Sequence, residues 1–302
     1  MTQHHGHAPA DYNRAFAFGV VLNLAYIVAE VAYGIIGESL ALLADAGHNL
    51  SDVLSLLFAW GATYLAGRKA SARRTYGLRR STILAALLNA IILLTAIGAV
   101  AWEAMGRFAS KTLPDGEVIV WVAAAGVLVN AGTALMFMAG RKHDLNIRGA
   151  FLHMTADAVV SLGVVMSGGL VLLTGWAWLD PLTSLVIVAV IMGGTWGLFR
   201  ESLDLALDAV PEHIEPQVVE AYLRRLPGVQ NIHDLHIWAM STTEVALTVH
   251  LVRPGAPARN DVFLHQVSRD LRHRFGISHA TIQIENGNDE YPCYLQSSEQ
   301  VP

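Results

Sequence analysis

The chain has 302 residues, of which 53% are hydrophobic and only 15% charged, with a formal net charge of −5. A mean hydropathy of +0.42 is too apolar for an ordinary soluble globule. The acidic balance and the lack of a basic stripe in the polar part argue against nucleic-acid binding, and a single cysteine, Cys293, excludes an intramolecular disulfide framework.

Residues 1–13 form a polar tail carrying His4, His5 and His7, a short cluster that either captures metal weakly or has no ligand at all. No cleavable signal peptide is apparent, because the apolar stretch that follows lacks a small-residue cleavage site. From residue 14 to about 205 the chain consists of apolar runs long enough to cross about 30 Å of hydrocarbon. Six spans are predicted, at roughly 14–36, 40–66, 82–106, 117–139, 149–173 and 180–202. An even number puts both termini on one side. The connection between the second and third spans carries Arg68, Lys69, Arg73, Arg74, Arg79 and Arg80, and that between the fourth and fifth carries Arg141, Lys142 and Arg148. The opposite connections show no such excess, so the positive-inside rule places both termini in the cytoplasm. The basic loop after the second span is read as setting topology, with contact to anionic lipid as the alternative.

Within the spans the pattern His-x-x-x-Asp occurs twice, as His48 and Asp52 in the second and His153 and Asp157 in the fifth. An Asp at the centre of a membrane helix costs about 2.5–3.5 kcal/mol, so each needs a cation or a partner. The i, i+4 spacing puts each His and Asp on one helix face, one turn apart. If the two helices pack face to face, two imidazoles and two carboxylates converge as a donor set suited to tetrahedral zinc. The plainer reading is an internal hydrogen bond or ion pair within each motif, which does not explain why the motif is repeated. Asp45 shares the face of His48 and Asp52 and is either a relay or a carboxylate capping a neighbouring helix. Glu30, Asn23, Asn89 and Asn130 are read as interhelical hydrogen-bonding groups, and Asp180, just before Pro181, as a cap for the sixth helix.

Residues 206–290 read as a soluble domain in the order helix, strand, strand, helix, strand, at about 215–226, 232–240, 244–252, 260–275 and 280–285, followed by a tail at 291–302. This order fits a small α+β sandwich resembling metallochaperones. By strict alternation His236, His250 and Glu285 project from one side of the sheet and can converge on a metal. His233 and His279 lie near strand starts and form a possible second cluster with Cys293 from the tail.

These residues together resemble the cation diffusion facilitator family, in its zinc-transporting branch, along essentially the whole chain. The resemblance rests on Ser39-Leu40-Ala41-Leu42-Leu43-Ala44-Asp45-Ala46-Gly47-His48-Asn49-Leu50-Ser51-Asp52, on the His153 and Asp157 pair, and on His233-Asp234-Leu235-His236-Ile237-Trp238. It implies a homodimer of six-helix protomers whose cytoplasmic domains are ferredoxin-like, and divalent-metal export driven by inward proton flow. It further implies that His48, Asp52, His153 and Asp157 are the transport site. It implies a cytoplasmic zinc site at His236, His250 and Glu285, to which His4, His5 and His7 of the other protomer contribute. His233 and His279 match a second cytoplasmic site that relatives complete with paired tail cysteines; here only Cys293 is available, and the long His-rich loop of some relatives between the fourth and fifth spans is missing.

The expectation is thus an α-helical membrane protein, a six-helix bundle followed by a cytoplasmic α+β ferredoxin-like domain, multi-pass in the bacterial inner membrane. Its expected function is proton-coupled antiport of divalent cations, zinc first and cadmium or cobalt as alternatives, with Zn2+ also held by the cytoplasmic domain. Protons and metal compete for the same imidazole and carboxylate atoms, so a pH difference can drive exchange by mass action. No G-x-x-x-x-G-K-[ST] motif supplies ATP coupling. The competing readings are an intramembrane metalloenzyme, disfavoured by the absence of H-E-x-x-H and by a closed four-ligand shell, and a metal sensor that transports nothing.

Overall fold

The computed structural model describes residues 12–109, 113–138, 145–255, 260–287, 293 and 295. His4, His5 and His7, together with Arg141 and Lys142, lie outside the described residues. Six helices of 22 to 30 residues come first: α1 (Tyr12–Ile36), α2 (Leu40–Ala66), α3 (Ser81–Arg107), α4 (Gly116–Phe137), α5 (Leu145–Thr174) and α6 (Leu179–Ala206). Among the described residues, four segments are long and apolar enough to cross a membrane: Ser81–Arg107, Gly116–Met136, Phe151–Thr174 and Leu179–Ala206. The side chains that these helices expose are largely apolar, Trp102 and Leu128 at 75% and Trp121 at 70% among them, a surface suited to hydrocarbon rather than water.

The chain divides into two compact units, Met1–Leu57 with Asn89–Trp196, and Phe58–Leu88 with Gly197–Pro302. In the first, Ala41, Leu42, Leu93, Ile97, Ile119, Ala123, Val164 and Ile187 interlock in one buried cluster. Helices α4 and α5 approach closely because Gly116 and Gly168 lack side chains. A Cβ on Gly168 would stand 2.6 Å from Ile119 Cγ2, and one on Gly116 would stand 2.8 Å from Leu172 Cγ. The expected role of Asp180 is corrected by its geometry. It sits in the first turn of α6 but caps α2, its carboxylate accepting from Ser39 Oγ at 2.6 Å, Leu40 N at 2.8 Å and Ala41 N at 3.3 Å. A carboxylate at a helix N-terminus satisfies orphan donors and meets the positive end of the helix dipole.

The second unit carries α7 (Pro216–Arg224), β1 (Asn231–Ala239), β2 (Val245–Val252), α8 (Asp261–Phe275) and β3 (Ile277–Glu285). The sheet order is β1-β2-β3, antiparallel between β1 and β2 and parallel between β2 and β3. The α8 crossover makes the parallel pairing possible, and Gly276 ends α8 at φ 72°, in the left-handed conformation that closes a helix. Val219, Leu223, Val267 and Leu271 of the helices bury against Ile232, Ile237, Leu247, Val249, Leu251 and Ile277 of the sheet. The order is the one expected, with β3 beginning three residues earlier than the alternation of Ile282 and Ile284 suggested.

The basic loop of this unit does something neither sequence reading anticipated. Arg79 Nη1 pairs with Glu244 Oε2 at 2.7 Å, Arg80 pairs with Asp208, and the ring of Tyr76 packs edge-on against His279 at 5.5 Å. Thr82 Oγ1 in the first turn of α3 accepts from Thr242 N at 3.1 Å. The loop is therefore tied to the α/β domain.

Candidate metal sites

Helices α2 and α5 carry the two His-x-x-x-Asp motifs, and their side chains interleave rather than pair within each helix. His48 Nε2 lies 3.3 Å from Asp157 Oδ1 across the helix boundary and 3.9 Å from Asp52 Oδ2 of its own motif. His153 Nε2 lies 3.2 Å from Asp52 Oδ2 and 3.7 Å from Asp157 Oδ2. In each motif the cross-helix contact is the shorter, so the local ion-pair reading is the weaker description. Tetrahedral zinc with bonds of about 2.0–2.1 Å sets its ligand atoms roughly 3.3 Å apart, close to the spacing found. One donor atom each from His48, Asp52 and Asp157 lies within 4.8 Å of the others, and His153, outside that cluster, reaches the two carboxylates at 3.2 and 3.7 Å. Asp157 is 3% exposed and His153 41%, so the set is walled on the Asp157 side and open on the His153 side. Two neutral imidazoles and two carboxylates give a net charge of −2, matched to a divalent cation.

A second donor set lies on the sheet of the α/β domain. His250 Nδ1 stands 2.8 Å from Glu285 Oε1, His233 Nε2 3.4 Å from Glu285 Oε2, and Cys293 Sγ 3.5 Å from His250 Nδ1. The donor atoms of His233, His250, Glu285 and Cys293 all lie within 4.8 Å of one another. Both ring nitrogens of His233 are buried without a hydrogen-bond partner, an arrangement that costs free energy unless a cation uses one of them. Burial alone would raise the Glu285 pKa. Hydrogen bonds from Cys293 and Gln283 and the nearby His233 and His250 outweigh it and hold the carboxyl below its ordinary value, in the ligating form.

The membership of this set differs from the expectation of His236, His250 and Glu285, with His233 and His279 apart. A bulge in β1 is the reason. His233 pairs with His250 and His236 with Thr248, so Asp234 and Leu235 together oppose Val249 alone. Asp234 adopts φ 53°, which absorbs the extra residue. Strict alternation would have put His233 on the face opposite His236; the bulge brings it onto the His250 face. His236 remains on that face but turns to Asp234, 3.0 Å away, with its side chain 59% exposed. His279 is exposed beside Tyr76 and does not join His233. Asp234 also reaches His250 Nε2 at 3.6 Å, bridging the donor set to His236, a contact that sequence reasoning missed because only the bulge creates it.

Asp45 does not join the donors of the two His-x-x-x-Asp motifs. It is fully buried and accepts from Ser161 Oγ at 2.9 Å.

Apolar helices enclosing histidine and carboxylate donors are the features of a membrane protein that handles a metal cation. Residues 17–205 match the family described as cation efflux transmembrane domain, and residues 211–287 match the cation efflux protein cytoplasmic domain. The chain belongs to the cation efflux family. It is 34% identical to the metal cation efflux system protein CzcD of Cupriavidus metallidurans, over 93% of this chain and 89% of that protein. It is 34% identical to the zinc transporter ZitB of Escherichia coli (95% and 91%) and 32% identical to a cadmium, cobalt and zinc/H(+)-K(+) antiporter of Bacillus subtilis (93% and 91%). A solved structure described as the metal-bound C-terminal domain of the CzcD transporter of C. metallidurans is 38% identical, covering 24% of this chain and 99% of that one, with a TM-score of 0.23.

Proposed function

We propose that this protein is a proton-coupled antiporter that exports divalent cations, zinc first, from the cytoplasm through His48, Asp52, His153 and Asp157. The observation that carries the reading is the interleaving of the two motifs across α2 and α5, with N to O separations of 3.2–3.9 Å. The full-length likeness to relatives named as a zinc transporter and as a cadmium, cobalt and zinc/H(+)-K(+) antiporter supports the same reading. Nitrogen donors disfavour magnesium and calcium, and the absence of thiolate at this site disfavours copper(I). The topology that goes with it has six spans, both termini in the cytoplasm and the bacterial inner membrane as host. The α/β domain is then a cytoplasmic ferredoxin-like module through which a homodimer forms. Its His233, His250, Glu285 and Cys293 set takes up zinc from the same pool, and a cysteine there favours zinc over harder cations.

The chemistry follows from the donors. Metal binds when the imidazoles are neutral and the carboxylates ionised, and protons compete for those atoms. Facing a near-neutral cytoplasm the site loads; facing a more acidic exterior it takes up protons and unloads. With four protein ligands the shell is full, which suits carriage rather than activation of a bound water.

Zinc flux into proteoliposomes under an imposed pH gradient tests this. Wild type is expected to show gradient-dependent flux, and Asp52→Ala and Asp157→Ala to lose it by more than about 100-fold, the upper end of what perturbing a metal shell costs. Zinc binding with no flux under any gradient would sink the exporter reading.

A further inference from the structure

Two more acids are buried in the unit that holds the four-ligand set, and no metal donor set uses either. Glu30 of α1 and Asp45 of α2 are both 0% exposed. The Tyr26 hydroxyl donates to Glu30 Oε1 at 2.8 Å, and Asn49 Nδ2 donates to Glu30 Oε2 at 3.3 Å. Asp45 Oδ2 accepts from Ser161 Oγ of α5, whereas Asp45 Oδ1 is buried with no donor; Asp45 lies one helical turn before Asn49, which bonds Glu30, so the two acids share one buried face. Two ionised carboxylates cannot remain side by side where solvent is excluded. A proton on Glu30 removes one charge and supplies Asp45 with the donor it lacks.

Tyr26 also borders a groove of about 460 Å³ between α1 and α4, lined mainly by apolar side chains such as Ala29, Val118 and Trp121, with Tyr33 and, at the start of α4, Asp115 and Glu117. Tyr26 lines the groove and donates its hydroxyl to Glu30. The hydroxyl fits because α4 has Gly126 opposite it; a Cβ there would collide with the phenol. The groups around Glu30 are therefore Tyr26 from α1, Asp45 and Asn49 from α2 and Ser161 from α5. His48 lies about one turn along α2 from Asp45, and Asp157 meets His48 at 3.3 Å.

We propose that Glu30 holds a counter-transported proton separately from the four metal ligands and exchanges it through Tyr26 with the α1–α4 groove. This rests on the antiport reading above. When the divalent cation leaves, the Glu30 and Asp45 pair loses its compensating charge and Glu30 takes up a proton from the groove. When the next cation arrives at His48, beside Asn49, the O–H bond of Glu30 breaks. The proton then passes to water at the metal site, which is open on its His153 side, and leaves toward the side from which the cation came.

The test measures zinc flux and lumenal pH together in proteoliposomes, for wild type, Glu30→Gln and Tyr26→Phe, with zinc affinity measured on each purified protein. Glu30→Gln is expected to keep its zinc affinity and to move about one proton fewer per metal ion, because the amide cannot ionise. Tyr26→Phe, which keeps the ring, is expected to retain the wild-type ratio and to exchange protons more slowly, and it carries the test if Glu30→Gln does not fold. Wild-type ratio and flux in Glu30→Gln, or unchanged proton exchange in Tyr26→Phe, would overturn the role of Glu30 alone. Wild type that moves zinc without protons would overturn the antiport reading along with it.

Discussion

Cys293 sits 3.5 Å from His250 in a set that also contains His233 and Glu285, so the only thiol in the chain is placed where it can bind metal. A thiolate changes the character of the set, favouring zinc or cobalt over oxygen-seeking cations and leaving a spectroscopic signature. Cobalt-loaded protein is expected to show thiolate-to-cobalt charge-transfer absorption. Cys293→Ser should abolish it and weaken zinc binding by the α/β domain about 10-fold, within the range for a perturbed metal shell. An unchanged cobalt spectrum would remove Cys293 from the set. The approach of His48, Asp52, His153 and Asp157 to one another was legible because the i, i+4 spacing is a local property of a helix and the motif is repeated. The α/β set was only partly legible. The alternation rule found His250 and Glu285 but assigned His233 to another cluster, since one extra residue in β1 reverses the face of everything before it.

At the scale of elements, apolar run length and polar punctuation located the eight helices and three strands of the described residues to within a few residues, because both are written along the chain. Contacts between elements distant in sequence were not written there. The role of Asp180 depends on where α2 begins, 140 residues away in sequence, and the pairs Arg79 with Glu244 and Arg80 with Asp208 depend on a domain more than a hundred residues downstream. The Asp180 cap is the most consequential of these for stability, as it serves two backbone N–H groups and one hydroxyl and is itself 1% exposed. Asp180→Ala leaves three buried donors unpaired at the start of the helix that presents His48 and Asp52. The expected loss is of order 2–4 kcal/mol, the range for a strong cap combined with unsatisfied buried groups. Asp180→Asn, whose amide oxygen still accepts, should lose less. Thermal unfolding of the purified protein measures both, and a midpoint unchanged in Asp180→Ala would show that water or a neighbour replaces the carboxylate.

For the molecule as a whole, the two donor sets fall in different compact units: His48, Asp52, His153 and Asp157 in one, and His233, His250, Glu285 and Cys293 in the other. Their energetic consequences should therefore separate. A metal that binds only folded protein stabilises it by about 2.7 kcal/mol at a concentration 100 times its dissociation constant, for each site it fills. His250→Ala removes the residue that touches both Glu285 and Cys293, while leaving every group around the α2 and α5 motifs in place. It is expected to lose the part of the zinc-induced thermal stabilisation that belongs to the α/β domain and to retain zinc flux. Asp157→Ala should do the opposite, losing flux and keeping that stabilisation. Lowering the pH through the imidazole range, around 6.5 for an unperturbed histidine, should erase the zinc effect at both sets, because bound protons exclude the metal. The discriminating measurement is zinc-dependent unfolding and proteoliposome flux on the same preparations of both variants. If His250→Ala abolished flux as completely as Asp157→Ala, metal in the α/β domain would be a condition for transport rather than an independent occupant, and the two units would have to act as one.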